Sequence, residues 1–183
     1  MKKIIINFLL ILIVVISTSF KATDLNNSFP TPGGIDNMLF YVQRTINSNT
    51  IVYELNTDKD GIINEKEPIK VYWIKYAKDG KIDPLTYIQR NYAYGVQTKL
   101  IDKEKKSFMF EFVSYHKRQF YLLKSTTDNK YHAYGYVNNK LSILNNIFIK
   151  IEGGTFWVPN VKSVEVKAKD TINSDFLTEV IKP

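Results

Sequence analysis

Phe108-Met109-Phe110-Glu111-Phe112-Val113-Ser114-Tyr115, followed by His116-Lys117-Arg118 and then Gln119-Phe120-Tyr121-Leu122-Leu123-Lys124, is the stretch on which the fold turns. Phe108, Phe110 and Phe112 alternate with Met109, Glu111 and Val113, a period of two that belongs to a strand. Both alternating sets are largely apolar, so residues 108–115 read as a central strand covered on both faces. The charged tip at residues 116–118 returns the chain into a second apolar run, which makes a hairpin. Glu111 stands mid-strand, where an unpaired charge is costly; it is expected to face water or to meet a basic partner.

The same pattern extends outward in both directions. Residues 39–45, 50–55, 69–76, 131–137, 147–151 and 161–167 have the length and the β-branched and aromatic content of strands. Asn47-Ser48-Asn49, Lys78-Asp79-Gly80, Thr127-Asp128-Asn129, Asn138-Asn139 and Gly153-Gly154 supply turns between the runs. One segment breaks the rhythm. Asp83 can cap a helix whose first position is Pro84, with Leu85, Ile88, Tyr92 and Ala93 on one face and Gly95 as a stop. The expectation is a mainly β fold, an antiparallel β-sandwich or barrel with one inserted α-helix over about residues 84–94. The stretch after Asp170 adds a turn or an edge strand.

Lys2 and Lys3, an apolar run over residues 4–16 broken only by Asn7, and Ser17-Thr18-Ser19 compose a secretory signal peptide over residues 1–19. A flexible linker over residues 20–37 and a single β-rich domain over residues 38–183 are expected to follow. The apolar run falls short of the ~20 residues of a bilayer crossing, so no membrane span is expected after cleavage, and the destination is periplasmic or secreted. Of the 25 Lys and Arg, two lie in the leader, so the formal charge of +7 falls to +5. That excess is scattered rather than gathered into a stripe, which argues against a nucleic-acid partner.

Tyr41-Val42-Gln43-Arg44, Asn49-Thr50-Ile51-Val52-Tyr53-Glu54-Leu55-Asn56, Pro68-Ile69-Lys70-Val71-Tyr72-Trp73-Ile74, Leu85-Thr86-Tyr87-Ile88-Gln89-Arg90, Ala93-Tyr94-Gly95 and Gly153-Gly154-Thr155-Phe156-Trp157 span nearly all of the mature domain. In these segments the chain resembles a family of exported bacterial proteins, Domain of Unknown Function 4833. The resemblance implies export and a single domain of this size, and it brings no activity, ligand or catalytic residue with it.

Three patterns carry candidate chemistry. Residues 56–67 follow the calcium-loop template, with oxygen donors at Asn56, Asp58 and Asp60, Gly61 at the turn, apolar Ile63, and Glu67 where the bidentate carboxylate belongs. Against a calcium ion stand Asn rather than Asp at the first position, a strand before the loop, and Pro68 directly after it; Asp-Lys-Asp-Gly is equally a good hairpin tip. The second pattern is an echo, Gln43-Arg44 and Gln89-Arg90, each after an aromatic and a β-branched residue. Should the two guanidinium forks converge, they would receive a carboxylate, phosphate or sulfate; otherwise each pairs with a local acid. The third is aromatic: His132, Tyr134 and Tyr136 share one strand face, and Tyr72, Trp73, Tyr76 and Trp157 stand in other strands, as pocket walls or as ordinary packing.

Conventional catalytic signals are sparse. There is no cysteine, the histidines are His116 and His132, and no nucleophile elbow, phosphate loop or dinucleotide fingerprint appears. The expected function is therefore a non-catalytic exported binding module for a small anionic or amphipathic ligand, or for a glycan or protein partner. A hydrolase using two carboxylates, such as Glu54 or Glu111 with Asp83, and a calcium-stabilised structural domain are the alternatives.

Overall fold

The computed structural model describes residues 29–155 and 158–183. The expected signal peptide, residues 20–28 of the expected linker, and Trp157 lie outside them.

Eleven strands are described: β1 (Met38–Arg44), β2 (Asn47–Leu55), β3 (Ile69–Lys75), β4 (Lys81–Pro84), β5 (Val96–Asp102), β6 (Ser107–Phe112), β7 (Tyr115–Lys124), β8 (Tyr131–Val137), β9 (Lys140–Gly154), β10 (Pro159–Asp170) and β11 (Phe176–Ile181). One short helix, α1 (Tyr87–Tyr92), joins β4 to β5. All strands belong to one sheet in the order β4-β3-β2-β1-β9-β8-β7-β6-β5, and it curls into a half-barrel. β10 lies on the far edge of β9 and carries β11. The fold is the mainly β architecture with an inserted helix that the sequence leads one to expect, except that β1 runs parallel to β9, from Tyr41 opposite Asn146 to Arg44 opposite Ile149.

β9 is the joint of the sheet. Ser142 and Ile143 pair with both β8 and β10, whereas residues 146–149 pair with both β1 and β10. A strand has two edges, so β8 and β1 occupy successive stretches of the same one. Two wings therefore leave β9, one of β1 to β4 and the other of β5 to β8, and they close on each other around the core.

Alternation sends Phe40 and Val42 of β1, Ile51, Tyr53 and Leu55 of β2, and Ile69, Val71 and Trp73 of β3 inward, and all are buried. The other wing answers with Phe108, Phe110, Phe120, Leu122 and Ala133. Rings make the seam. Phe40 stacks on Tyr53 with centroids 4.4 Å apart and reaches Phe110 at 6.1 Å, while Phe112 meets Phe40, Tyr53 and Phe120 edge-on. Each fully buried ring contributes about 2 to 3 kcal/mol of burial, with a further increment for such pair geometries. Gly135 makes room for Phe120, since a Cβ there would stand 2.8 Å from the ring.

Several sequence expectations change in detail. β6 is not central but lies beside the edge strand β5, and it ends at Phe112; the turn falls at Val113-Ser114, so His116, Lys117 and Arg118 belong to β7. Only its Phe108 and Phe110 face is fully buried, and Met109 and Glu111 are partly exposed. Glu111 does find a basic partner, His116 Nδ1 at 2.9 Å across the hairpin tip. The helix is shorter than residues 84–94. Thr86 rather than Asp83 caps it, in a capping box with Gln89, because Asp83 is held in β4 by Lys75 and Lys81. Its supposed apolar face is not buried, since Ile88 and Tyr92 are exposed and only Leu85 beside it enters the core. Gly153-Gly154 ends β9 instead of turning the chain. Asn138 and Asn139, both left-handed, make the tight β8–β9 turn as expected.

The segments outside the strands are tied down. Gln43 Nε2 donates to the Pro30 carbonyl at 2.9 Å, and Phe29 sets its ring against Phe148 at 5.0 Å. The polar loop over residues 56–67 drops Ile63 into the core and reaches the other wing through Glu65 and Lys106 at 3.1 Å. No helix among the described residues is long and apolar enough to cross a membrane.

Candidate functional site

The helical segment between β4 and β5 brings its own Gln89 and Arg90 to candidate residues of the β1–β4 wing. Position 44 on β1 follows Phe40 and Val42 on the inward face, so Arg44 points into the half-barrel. Its guanidinium carbon lies 4.8 Å from the Trp73 ring centre and 5.2 Å from that of Tyr94, and its NH1 donates to the Tyr94 hydroxyl. Among the described residues no carboxylate comes within 4.0 Å of Arg44, and its buried Nε has no hydrogen-bond partner. The charge is held by ring faces and a phenol.

Around this box the segment is pinned to the sheet. Trp73 Nε1 donates to Gln89 Oε1 at 3.2 Å, and the Tyr53 hydroxyl donates to the Tyr94 carbonyl at 2.7 Å. Burial, with Tyr94 nearby, raises the Tyr53 hydroxyl well above the usual tyrosine range, so it remains a donor. Gly95 then permits a contact no other residue allows: a Cβ there would lie 1.9 Å from the Arg90 carbonyl oxygen.

On the other side of the segment lies a cavity of about 250 Å³. Pro68, Ile69, Val71, Val96 and Val113 form its apolar walls, and Lys66, Glu67, Arg90, Asn91, Gln97 and Thr98 supply polar groups. Both wings contribute, through β3 and β5. Arg90 NH1 donates to Glu67 Oε1 at 2.7 Å, and both side chains are about half exposed. Lys66 has no acid within 4.0 Å among the described residues. The charged lining is thus two cations against one carboxylate.

The two arginines do not share a partner, since Arg44 contacts Trp73 and Tyr94 while Arg90 holds Glu67. Gln89 reaches Trp73 of the Arg44 box, but Gln43 turns away to Thr50 and Pro30. Tyr72 donates to Glu54 at 2.8 Å on the opposite face of β3 from Trp73. Burial and the Glu54 carboxylate both push the Tyr72 hydroxyl upward.

In the loop over residues 56–67 the Asn56, Asp58 and Glu67 side chains have partners within the chain, and Asp60 is exposed. Asn56 donates to the Glu67 carbonyl, Asp58 Oδ1 accepts the N–H groups of Asp60 and Ile62, and Glu67 faces Arg90. Among the described residues no group of three or more His, Asp and Glu side chains is arranged to hold a metal.

His132 and Tyr134 sit on the outer face of β8, away from this site. His132 Nε2 meets Asp128 Oδ2 at 2.7 Å, and the Lys130 N–H together with His132 lowers the Asp128 carboxyl to about 2. Trp157 lies outside the described residues. Tyr94, Lys66, Asn91, Gln97 and Thr98 were not singled out by sequence; the Ala93-Tyr94-Gly95 run was the signal available for the first of them.

The family model described as a domain of unknown function, DUF4833, matches residues 40–179. No curated protein and no solved structure matches the chain.

Proposed function

The chain belongs to the DUF4833 family, and we propose that it is an exported, non-catalytic binding module, acting in the periplasm or outside the cell, that takes a small amphipathic anion into the cavity beneath α1. The observation that carries this reading is the cavity's make-up, an apolar wall of three valines, Ile69 and Pro68 beside the guanidinium of Arg90. Its exposed lining is more polar than apolar, with Lys66, Arg90, Asn91, Gln97 and Thr98 set beside one apolar wall, and about 250 Å³ suits a ligand below drug size. Arg90 offers a fork that reads a carboxylate in two contacts.

Hydrolysis by two carboxylates is less well supported. Such an enzyme sets a pair of acids across the scissile bond, and the cavity lining holds one, Glu67, already engaged by Arg90.

Isothermal titration of the purified mature chain with hexanoate tests the reading, with hexanol as the uncharged control. Saturable binding of hexanoate, little of hexanol, and loss of the hexanoate signal in Arg90→Gln are expected. An unaltered isotherm in Arg90→Gln, or none in the natural chain, overturns it.

A further inference from the structure

Glu67 is a carboxylate that the chain itself delivers to the cavity's arginine. The two residues are far apart in sequence and lie on different elements, yet the contact is 2.7 Å. The backbone that presents Glu67 is fixed on both sides. Its N–H donates to Asn64 Oδ1 at 3.2 Å, its carbonyl accepts from Asn56 Nδ2 at 2.7 Å, and Pro68 after it is buried. The side chain is by contrast about half in water, as is Arg90. Exposed pairs of this kind are worth little, so an incoming anion can exchange with Glu67 at small cost.

Charge then decides which anion. With Lys66 and Arg90 against Glu67, the lining carries a net charge of +1. A monoanion brings that region to neutrality. A dianion overshoots, and its second charge shares the region with the displaced Glu67 carboxylate, which stays within reach because its backbone is pinned.

We propose that Glu67 is a specificity-determining residue, an internal counter-carboxylate that selects monoanions with a short apolar chain over dianions of the same length. The inference rests on the cavity being the binding site, and its test separates the two. Hexanoate and adipate share six carbons and differ in one carboxylate, and each is titrated at low ionic strength, where the charge is least screened, into the natural chain, Glu67→Gln and Arg90→Gln. The natural chain is expected to prefer hexanoate, and Glu67→Gln to shift the hexanoate-to-adipate affinity ratio toward adipate by roughly tenfold. Arg90→Gln loses both.

Hexanoate binding that needs Arg90 but has the same ratio in Glu67→Gln overturns the selectivity and leaves the site intact. Failure of both probes to bind the natural chain and Glu67→Gln overturns the two together. Since Glu67 and Arg90 are both half exposed, far-ultraviolet circular dichroism is expected to show all three proteins equally folded.

Discussion

Arg44 and Arg118 are the two arginines that lean on aromatic rings from the inward faces of opposite wings, and they are neutralised differently. Arg118, in register with Phe120 and Leu122 on β7, lies 5.9 Å over the Phe120 ring and meets Glu179 of β11 at 2.7 Å. Glu179 also accepts the Asn138 N–H at 3.1 Å, and Arg118 donates to the Tyr136 carbonyl. That charge is cancelled, and the cluster clasps the β10–β11 hairpin to β7 and the β8–β9 turn. Arg44 has two rings and one phenol, with no carboxylate among the described residues. One arginine closes a structure; the other leaves a net positive charge against the segment that carries Arg90. Similar residues in similar surroundings thus divide into a fastener and an unneutralised charge according to whether the chain supplies an acid.

The comparison depends first on the Arg44 side being buildable at all, and Gly95 decides that. Gly95→Ala places a methyl against the Arg90 carbonyl, and the segment from Thr86 to Val96 must move away from Trp73. A loss of about 3 kcal/mol in urea denaturation is expected, the largest effect of the set. A loss under about 0.5 kcal/mol would mean that the close approach does not organise this side.

Breaking the fastener comes next. Arg118→Ala strands Glu179 beside the core and should cost about 1.5 kcal/mol, with a clearly positive coupling to Glu179→Ala in a double-mutant cycle. The pH dependence sharpens the point. Burial raises the Glu179 carboxyl, but the Arg118 hydrogen bond and the Asn138 N–H outweigh it and leave it below its ordinary 4.5. A carboxyl depressed in the folded state contributes stability above its unfolded value and loses it as pH falls through the folded one. Stability measured below pH 4.5 should therefore fall less steeply in Glu179→Gln than in the natural chain.

The smallest effect is expected at Arg44. Arg44→Met keeps an apolar contact with Trp73 and Tyr94 while removing a charge that has no acid to lose. Gains in desolvation offset lost ring contacts, and the change should stay under about 1 kcal/mol. A penalty as large as that of Arg118→Ala would show that the rings neutralise the charge as well as a carboxylate does.

Much of the fold was legible because it is written locally. The Phe108 alternation and the Asn138-Asn139 turn are each set by neighbours in sequence, whereas the β6–β7 hairpin is present as expected but its turn falls at Val113-Ser114 rather than at residues 116–118. β5 was not legible: Gln97, Lys99, Leu100 and Ile101 are exposed on an edge strand, so no alternation of burial shaped them. The helix start was misassigned because Asp83 is as good a cap as Thr86 until Lys75 and Lys81 claim it. In the site, Arg44, Trp73, Gln89 and Arg90 could be named from residue type alone. Their partners could not, because Tyr94 reaches Arg44 across 50 positions and Glu67 reaches Arg90 across 23. Glu67 reads through its loop neighbours as a candidate calcium ligand or as part of a plain polar loop, and neither reading points to Arg90, which comes from a helix the loop does not adjoin in sequence.

The shared edge of β9 works like the spine of a book whose covers are the two wings. At about 4.8 Å per strand, β3 stands roughly 14 Å from that spine and β5 roughly 19 Å. The cavity lies between those outlying strands, so a small rotation at the spine would become a larger change in the gap proposed to take a ligand. Whatever fills the space beneath α1 acts at the end of two long levers, and the hydrogen bonds of β1 and β8 to β9 are where that load is borne.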